Sequence, residues 1–307
     1  MNPNSSSFRA MITGMRDAYE RGENAMAHAR KLSGAAGNTS EATLIAYDLQ
    51  TGNYVARVRQ DPAANARWCA QLAERIAPWL DAESSVLEVG CGEATTLGGV
   101  LQELRLSPIT ALGFDISWSR CAQGLGWLAH LGLQAQLFVG DLFAIPLADA
   151  SIDVVYTSHS LEPNGGRETE ALRELLRVAR RAVVLVEPLY ELGSPEAQAR
   201  MREHGYVRGL EAAARSLGAD VQACELLPYS PNPLNPSGVI VLRQSVLPPA
   251  RRALFQCPLT ATPLVDAGDS YYSPRTGLAY PVLRDIPLLR PEHAVVASKL
   301  EARTPCP

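Results

Sequence analysis

Between residues 86 and 242 the chain alternates between two hydrophobic rhythms. Short continuous apolar runs occur at Val86–Val89, Ile109–Phe114, Gln136–Val139, Ile152–Thr157 and Ala182–Val186. Each ends at a Gly, an Asp, a Ser or a Glu-Pro step, which predicts buried strands. Stretches of helical periodicity lie between them. They predict helices over Glu93–Leu104, from a Ser117 cap to His130, and over Arg167–Ala179, with Leu172, Leu175, Leu176 and Ala179 facing inward. Pro195–Leu217 reads as one or two helices around Gly205, and Gln222–Leu227 with Val239–Leu242 as a closing antiparallel pair. Ahead of the first strand, Asp61 and Pro62 suit the N-cap and first turn of a helix running to about Leu80, with Trp68, Leu72, Ile76 and Trp79 on one stripe. Apolar strands interleaved with helices predict an α/β fold: a seven-stranded, mostly parallel sheet with helices on both faces.

The flanks read differently. Residues 1–40 are small and polar, with a helix expected near Phe8–Lys31 and a linker from Ser33 to Ser40. Met11, Met15, Ala18 and Met26 would give that helix a weak apolar face. Glu41–Arg59 is expected to cap the sheet domain, through Tyr47, Asp48 and Tyr54. Pro248-Pro249 marks a second boundary, followed by short apolar pieces rich in Pro and Gly, a small β-rich module. The expected division is a helical extension and cap at 1–60, a sheet domain at 61–247 and the module at 248–307.

Charge and cysteines narrow the classes. The net charge of −4 lacks the basic footprint of a nucleic-acid binder. Arg180-Arg181 and Arg251-Arg252 read as solvated surface. The six cysteines form no C-x-x-C pair. With no apolar leader and no run of membrane-spanning length, a soluble protein in a reducing cytoplasm is expected.

The candidate chemistry centres on Val86–Gly98, VLEVGCGEATTLG. A strand turning tightly into a helix puts Gly90 and Gly92 where no Cβ obstructs a ligand, with Glu88 just before them. The dinucleotide fingerprint wants a third glycine where this chain has Thr95. Asp115 follows the second strand, where an acid can accept from both ribose hydroxyls. Asp141 follows the third, where one can accept from an adenine amino group, beside Leu142 and Phe143. As turn or capping residues, both acids would be ordinary. His159 follows the fourth strand and either takes a proton at neutral pH or orders its loop. Glu162 and Asn164 stand nearby in sequence and orient a polar substrate or shape a Gly-rich turn, and Glu187 ends the fifth strand, where it faces substrate or terminates the strand ahead of Pro188. His204, Tyr206 and Asn232 belong to two further polar clusters.

Together, E-V-G-C-G, Asp115 and Asp141 make the stretch from about Tyr47 to Leu242 resemble class I S-adenosylmethionine-dependent methyltransferases, a Rossmann-like family. Their cofactor has no pyrophosphate, so the third glycine is dispensable. The resemblance implies that S-adenosyl-L-methionine is the cofactor. Gly90 and Gly92 would approach its methionine moiety, Asp115 its ribose and Asp141 its adenine, flanked by Ile116. Glu88, Leu142 and Ser158 complete the expected cofactor set. The acceptor would meet the methyl group near the end of the fourth strand, with His159 or His204 as base and Tyr47, Tyr54, Glu162, Asn164, Glu187, Tyr206 and Asn232 around it. Oxygen methylation of a small polar molecule, such as a sugar, nucleotide-sugar or secondary metabolite, is the leading expectation. The alternatives are protein or tRNA methylation, or a cofactor-binding scaffold without activity.

The module at Phe255–Lys299 resembles the small zinc-ribbon activator subunit of RNA- and protein-methylating enzymes. The shared pieces are Cys257-Pro258-Leu259, Tyr271-Tyr272-Ser273, Leu278–Val282 and Asp285–Leu289. Thr260 stands where relatives carry a second cysteine, and a structural zinc needs four ligands. The ribbon's shape without its metal is therefore expected. Its apolar stripe of Leu278, Tyr280, Val282, Ile286, Leu288 and Leu289 would suit a homodimer contact or packing on the catalytic domain.

Overall fold

The central sheet is built from β1 (Ser85–Val89), β2 (Thr110–Asp115), β3 (Gln136–Val139), β4 (Ile152–Ser158), β5 (Ala179–Pro188), β6 (Asp220–Leu226) and β7 (Ser237–Arg243). The computed structural model describes residues 3–34, 39–104, 110–244 and 255–300. The strand order is β3-β2-β1-β4-β5-β7-β6. β1 to β5 run parallel, whereas β7 is antiparallel to both β5 and β6, the closing pair expected from the sequence. The chain leaves β1 toward β2 and β3 on one side, then crosses to β4 on the other. That reversal opens a crevice beyond the carboxyl ends of β1 and β4, where α/β sheets bind ligands.

The helices are α1 (Pro3–Glu20), α2 (Ala25–Ser33), α3 (Ser40–Leu49), α4 (Asn53–Gln60), α5 (Pro62–Ile76), α6 (Thr95–Leu104), α7 (Trp118–His130), α8 (Glu168–Val178), α9 (Pro195–His204) and α10 (Leu210–Ser216). Successive strand residues point to opposite faces, and two apolar cores follow from that. Leu87, Val89, Val183 and Leu185 face α8 and α10. Val86, Val184 and Val186 face α5, α6 and α7 through Leu72, Ile76, Leu97, Val100 and Leu128. Helices thus cover both faces, as predicted.

Several boundaries differ for local reasons. The single helix expected at Phe8–Lys31 is two, broken where Gly22 takes φ +75° and Asn24 caps α2 by accepting the Ala27 N–H. Met15 and Ala18 are buried against α2 and α3, with Met11 and Met26 packed beside them. Asp61 does cap α5, accepting from the Ala64 N–H, but the α-helix ends at Ile76 and Ala77–Trp79 form a 3-10 turn containing Pro78. α6 starts at Thr95 rather than Glu93, because Gly92 and Ala94 both take φ +53°. Residues 35–38 of the expected linker, together with Ile109, Pro248-Pro249, Arg251-Arg252 and Cys306, lie outside the described residues.

The C-terminal module contains β8 (Val265–Asp266), β9 (Ser270–Ser273), β10 (Leu278–Leu283), β11 (Ile286–Pro287) and β12 (Val295–Val296), all paired antiparallel. It is β-rich, as expected, and it shares the cores of the large sheet. Phe255, Cys257, Tyr280 and Leu289 belong to one core and Ile286 to the other. Of the two roles considered for the apolar stripe, packing on the catalytic domain is the one seen: Tyr280, Ile286 and Leu289 are fully buried within the chain, in the cores of the large sheet. The Cys257 sulfur lies 3.3 Å from the Tyr280 hydroxyl. Among the described residues, no group of His, Cys, Asp and Glu is placed to hold a metal, and no helix is long and apolar enough to cross a membrane.

Candidate active site

The glycine turn after β1 is held from three sides. The Cys91 N–H donates to the Phe114 carbonyl at 2.8 Å, and the Gly92 N–H donates to Asp115 Oδ2 at 3.0 Å. Asp115 Oδ1 accepts the Ser117 N–H at 2.9 Å. Gly90 has φ +69°, and a Cβ there would stand 2.4 Å from the Ser160 Cβ, so the loop after β4 packs directly on it. Asp115 is buried yet lines the crevice, and its carboxylate oxygens keep lone pairs free for a ligand. Burial raises its pKa, with the Arg120 charge opposing. Glu88 is also buried on the crevice wall. Burial pushes it up to about 8, although the Tyr156 hydroxyl donates to it at 3.2 Å.

A helical cap closes one side. Glu93, inside the glycine turn, reaches across to the start of α4. Its Oε1 accepts the Gly52 N–H at 2.9 Å and its Oε2 the Val55 N–H at 2.8 Å. Free N–H groups at a helix start are commonly met by the neighbouring residue's side chain; here the acceptor comes from the glycine turn. Arg120 of α7 is 4% exposed and lies 4.4 Å from the Tyr54 ring centroid and 5.2 Å from that of Tyr47. Ser117 Oγ donates to Asp48 Oδ1 at 2.6 Å, joining α3 to α7. Tyr47, Asp48 and Tyr54, picked as cap residues from the sequence, thus all touch the sheet domain at this site.

At the β3 end, Asp141 Oδ1 accepts the Phe143 N–H at 2.9 Å, and Leu142, Phe143 and Ile116 line the crevice beside it. Across from them, His159 has φ +56°, a left-handed backbone conformation uncommon for a side-chain-bearing residue. Its Nδ1 lies 2.8 Å from Glu162 Oε2 and its Nε2 2.8 Å from Ser237 Oγ. Burial lowers its pKa, but the hydrogen bond and charge of Glu162 outweigh that and the net shift is upward. Trp68 meets the imidazole edge-on at 5.5 Å and donates from Nε1 to Ser158 Oγ at 3.3 Å.

A cavity of about 760 Å³ joins these parts, within the ~300–1,000 Å³ usual for small-molecule sites. It brings together Glu88, Gly90, Gly92, Asp115, Ile116, Asp141, Leu142 and Ser158 with Tyr47, Tyr54, His159, Glu162, Asn164, Tyr206 and Asn232. Two expected residues are elsewhere. Glu187 is fully buried beneath the loop, accepting the Ser160, Leu161 and Glu162 N–H groups at 3.1 Å each. Its carboxylate shapes the loop instead of meeting substrate, and burial pushes it up to about 7. His204 does not line the cavity. Its Nδ1 is 2.9 Å from the Arg200 carbonyl, and its ring meets Tyr206 edge-on.

Glu93, Arg120, Arg200, Asn235 and Ser237, none of them among the residues expected from the sequence, also line the cavity. Glu93 had a visible signal, an acid directly after the second glycine. Arg120 and Arg200 sit on helices, Asn235 on a loop and Ser237 at the start of β7, elements whose approach only the tertiary fold defines. Three carboxylates spaced along the strand ends, a tight glycine turn and a cavity of this size fit a nucleoside with an amino-acid tail. Residues 86–182 match the family described as a methyltransferase domain. No curated protein matches the chain. Solved structures with a similar fold include magnesium protoporphyrin IX methyltransferase from Synechocystis PCC 6803 with bound SAH. It is 15% identical, with 66% of this chain and all of that one covered, at a TM-score of 0.49. A SAM-dependent methyltransferase from Aquifex aeolicus is 17% identical, covering 56% and 88%, at 0.41.

Proposed function

We propose, from the premise that this chain carries an S-adenosylmethionine-dependent methyltransferase domain, that it methylates an oxygen of a small polar molecule. The observation that carries this reading is the Glu162–His159–Ser237 array on the cavity wall. The bound cofactor supplies a methyl group on sulfonium, already a strong electrophile. Alignment then supplies much of the rate, and a base is needed only for a protonated nucleophile such as a hydroxyl.

In this reading Asp115 accepts from the ribose hydroxyls, and Asp141, Ile116 and Leu142 surround the base. The Gly90–Gly92 turn admits the methionine portion, with Glu88 and Ser158 alongside. His159 receives the acceptor's proton at Nε2 by way of Ser237 Oγ, and the Glu162 carboxylate stabilises the imidazolium that forms. Glu162 is itself fixed by the Asn235 amide at 3.2 Å. Tyr47, Tyr54, Tyr206, Asn164 and Asn232 form the polar and aromatic wall facing the acceptor. The reading places the enzyme in the cytoplasm, supported by the free cysteines among the described residues.

The test is methyl transfer from radiolabelled S-adenosylmethionine to a panel of hydroxyl- and amine-bearing small molecules. A hydroxyl acceptor should emerge, and His159→Gln should lower kcat on it by about 10²–10⁴-fold while leaving cofactor affinity intact. Transfer to amines alone, or an undiminished kcat in His159→Gln, would overturn the assignment.

A further inference from the structure

We infer that the C-terminal module completes the nucleoside end of the site, with Arg290 as the positioning residue for the Asp141 carboxylate. The inference rests on the reading of Asp141 as the group that meets the base. The module reaches this point through backbone pairing. Leu288 bridges Val139 in parallel, and the Leu289 N–H donates to the Val139 carbonyl at 2.9 Å. The segment thus meets the open edge of β3 at a single bridge, and the residues that follow Val139 are Gly140 and Asp141. Phe255 secures the contact by meeting the Phe138 ring edge-on at 5.1 Å.

In this register Arg290 arrives beside Asp141. Its Nη2 lies 4.0 Å from Asp141 Oδ2, while Oδ1 is engaged by the Phe143 N–H. Arg290 is 6% exposed, and its Nε is buried with no hydrogen-bond partner. The other acid in range, Glu292, is 3.7 Å from Nε and largely solvent-exposed. A buried guanidinium is costly unless a carboxylate faces it, and Asp141 is the one lining the cavity. The pair fixes which oxygen Asp141 turns toward a ligand and keeps a negative acceptor at that spot. Such a group favours a base carrying an amino donor and repels one carrying a carbonyl there.

The test compares two ligands by calorimetric titration of the full chain: S-adenosylhomocysteine and S-inosylhomocysteine, in which a carbonyl replaces the adenine amino group. The wild type should prefer the first. Asp141→Asn should erase much of the preference; if it does not, the reading of Asp141 fails. Arg290→Gln should reduce the ratio of the two affinities by about tenfold, and Arg290→Lys, which keeps the charge, should retain more of it. A purely structural role would weaken both ligands equally and leave the ratio unchanged. That outcome, with Asp141→Asn still effective, overturns the inference about Arg290 alone. Should Arg290→Gln fail to fold, the ratio in Arg290→Met, which keeps the length of the side chain and removes the charge, decides, with a reduced value supporting the inference and a wild-type value overturning it.

Discussion

Glu88 and Glu187 are carboxylates without exposed surface to speak of, and both hold their protons to unusually high pH, about 8 and about 7. His159, partnered by Glu162, also titrates above its ordinary 6.5. The sign is the same for all three. Between pH 4.5 and 8 these three groups hold protons in the folded chain that they have released in the unfolded one, so each contributes a fall in stability as pH rises through its window. For His159 the stabilisation is complete below 6.5 and is lost as pH climbs through its raised folded value. Glu88→Gln should flatten the upper part of the curve, by about 1.4 kcal/mol for each pKa unit removed. Denaturant unfolding of the wild type and Glu88→Gln at pH 5 and pH 8 measures this; the same change between the two pH values in both chains would contradict it. Glu88, Asp115 and Asp141 were legible in the sequence because each belongs to a strand or the turn just after it, where topology alone directs it to the crevice. Arg120 and Arg290 were not, since a buried arginine looks like any surface arginine until its neighbours are known. Glu187 was misjudged for a related reason: a strand-end acid can turn under the loop as readily as into the cavity.

Among the elements, the Glu93 contact makes the cap and the glycine turn one mechanical unit. Glu93→Ala should leave the start of α4 without its acceptor, at a cost of about 0.5–2 kcal/mol. Because the cap closes the crevice, bound S-adenosylhomocysteine should dissociate faster, and the chain around Thr51–Asn53 should become more susceptible to protease. Stopped-flow release and limited proteolysis read these directly. Unchanged rates would separate the cap from the ligand. The strands were readable to within a few residues because short apolar runs leave little choice of register. The helix starts near Glu93 and Arg21–Asn24 were not, because positive-φ residues in the connecting turns decide them. Gly90→Ala should also fail in this layer: it imposes a left-handed backbone on alanine, at ~1–2 kcal/mol, and a 2.4 Å contact with Ser160. A lowered melting temperature with lost ligand binding is expected.

For the whole molecule, the module and the sheet share side chains in both cores, so they should melt together. Differential scanning calorimetry of the full chain should give one transition; a separate early or late transition for the module would contradict the shared core. A sequence division at Pro248-Pro249 finds the change in composition but not this continuity, since the contacts join residues far apart, such as Val139 with Leu288. The α/β class, the strand count and the mixed polarity of the sheet were all legible from the pattern. The docking of the Leu288–Leu289 segment on β3 was not.

The central claim is that a nucleoside with an amino-acid tail lies across the strand ends and is held by Asp115. Calorimetric titration of S-adenosylhomocysteine into the wild type and Asp115→Ala tests it most directly. The account predicts one molecule bound per chain and an affinity about 10–100-fold weaker in the variant. No binding to the wild type, or equal binding to both, would contradict it.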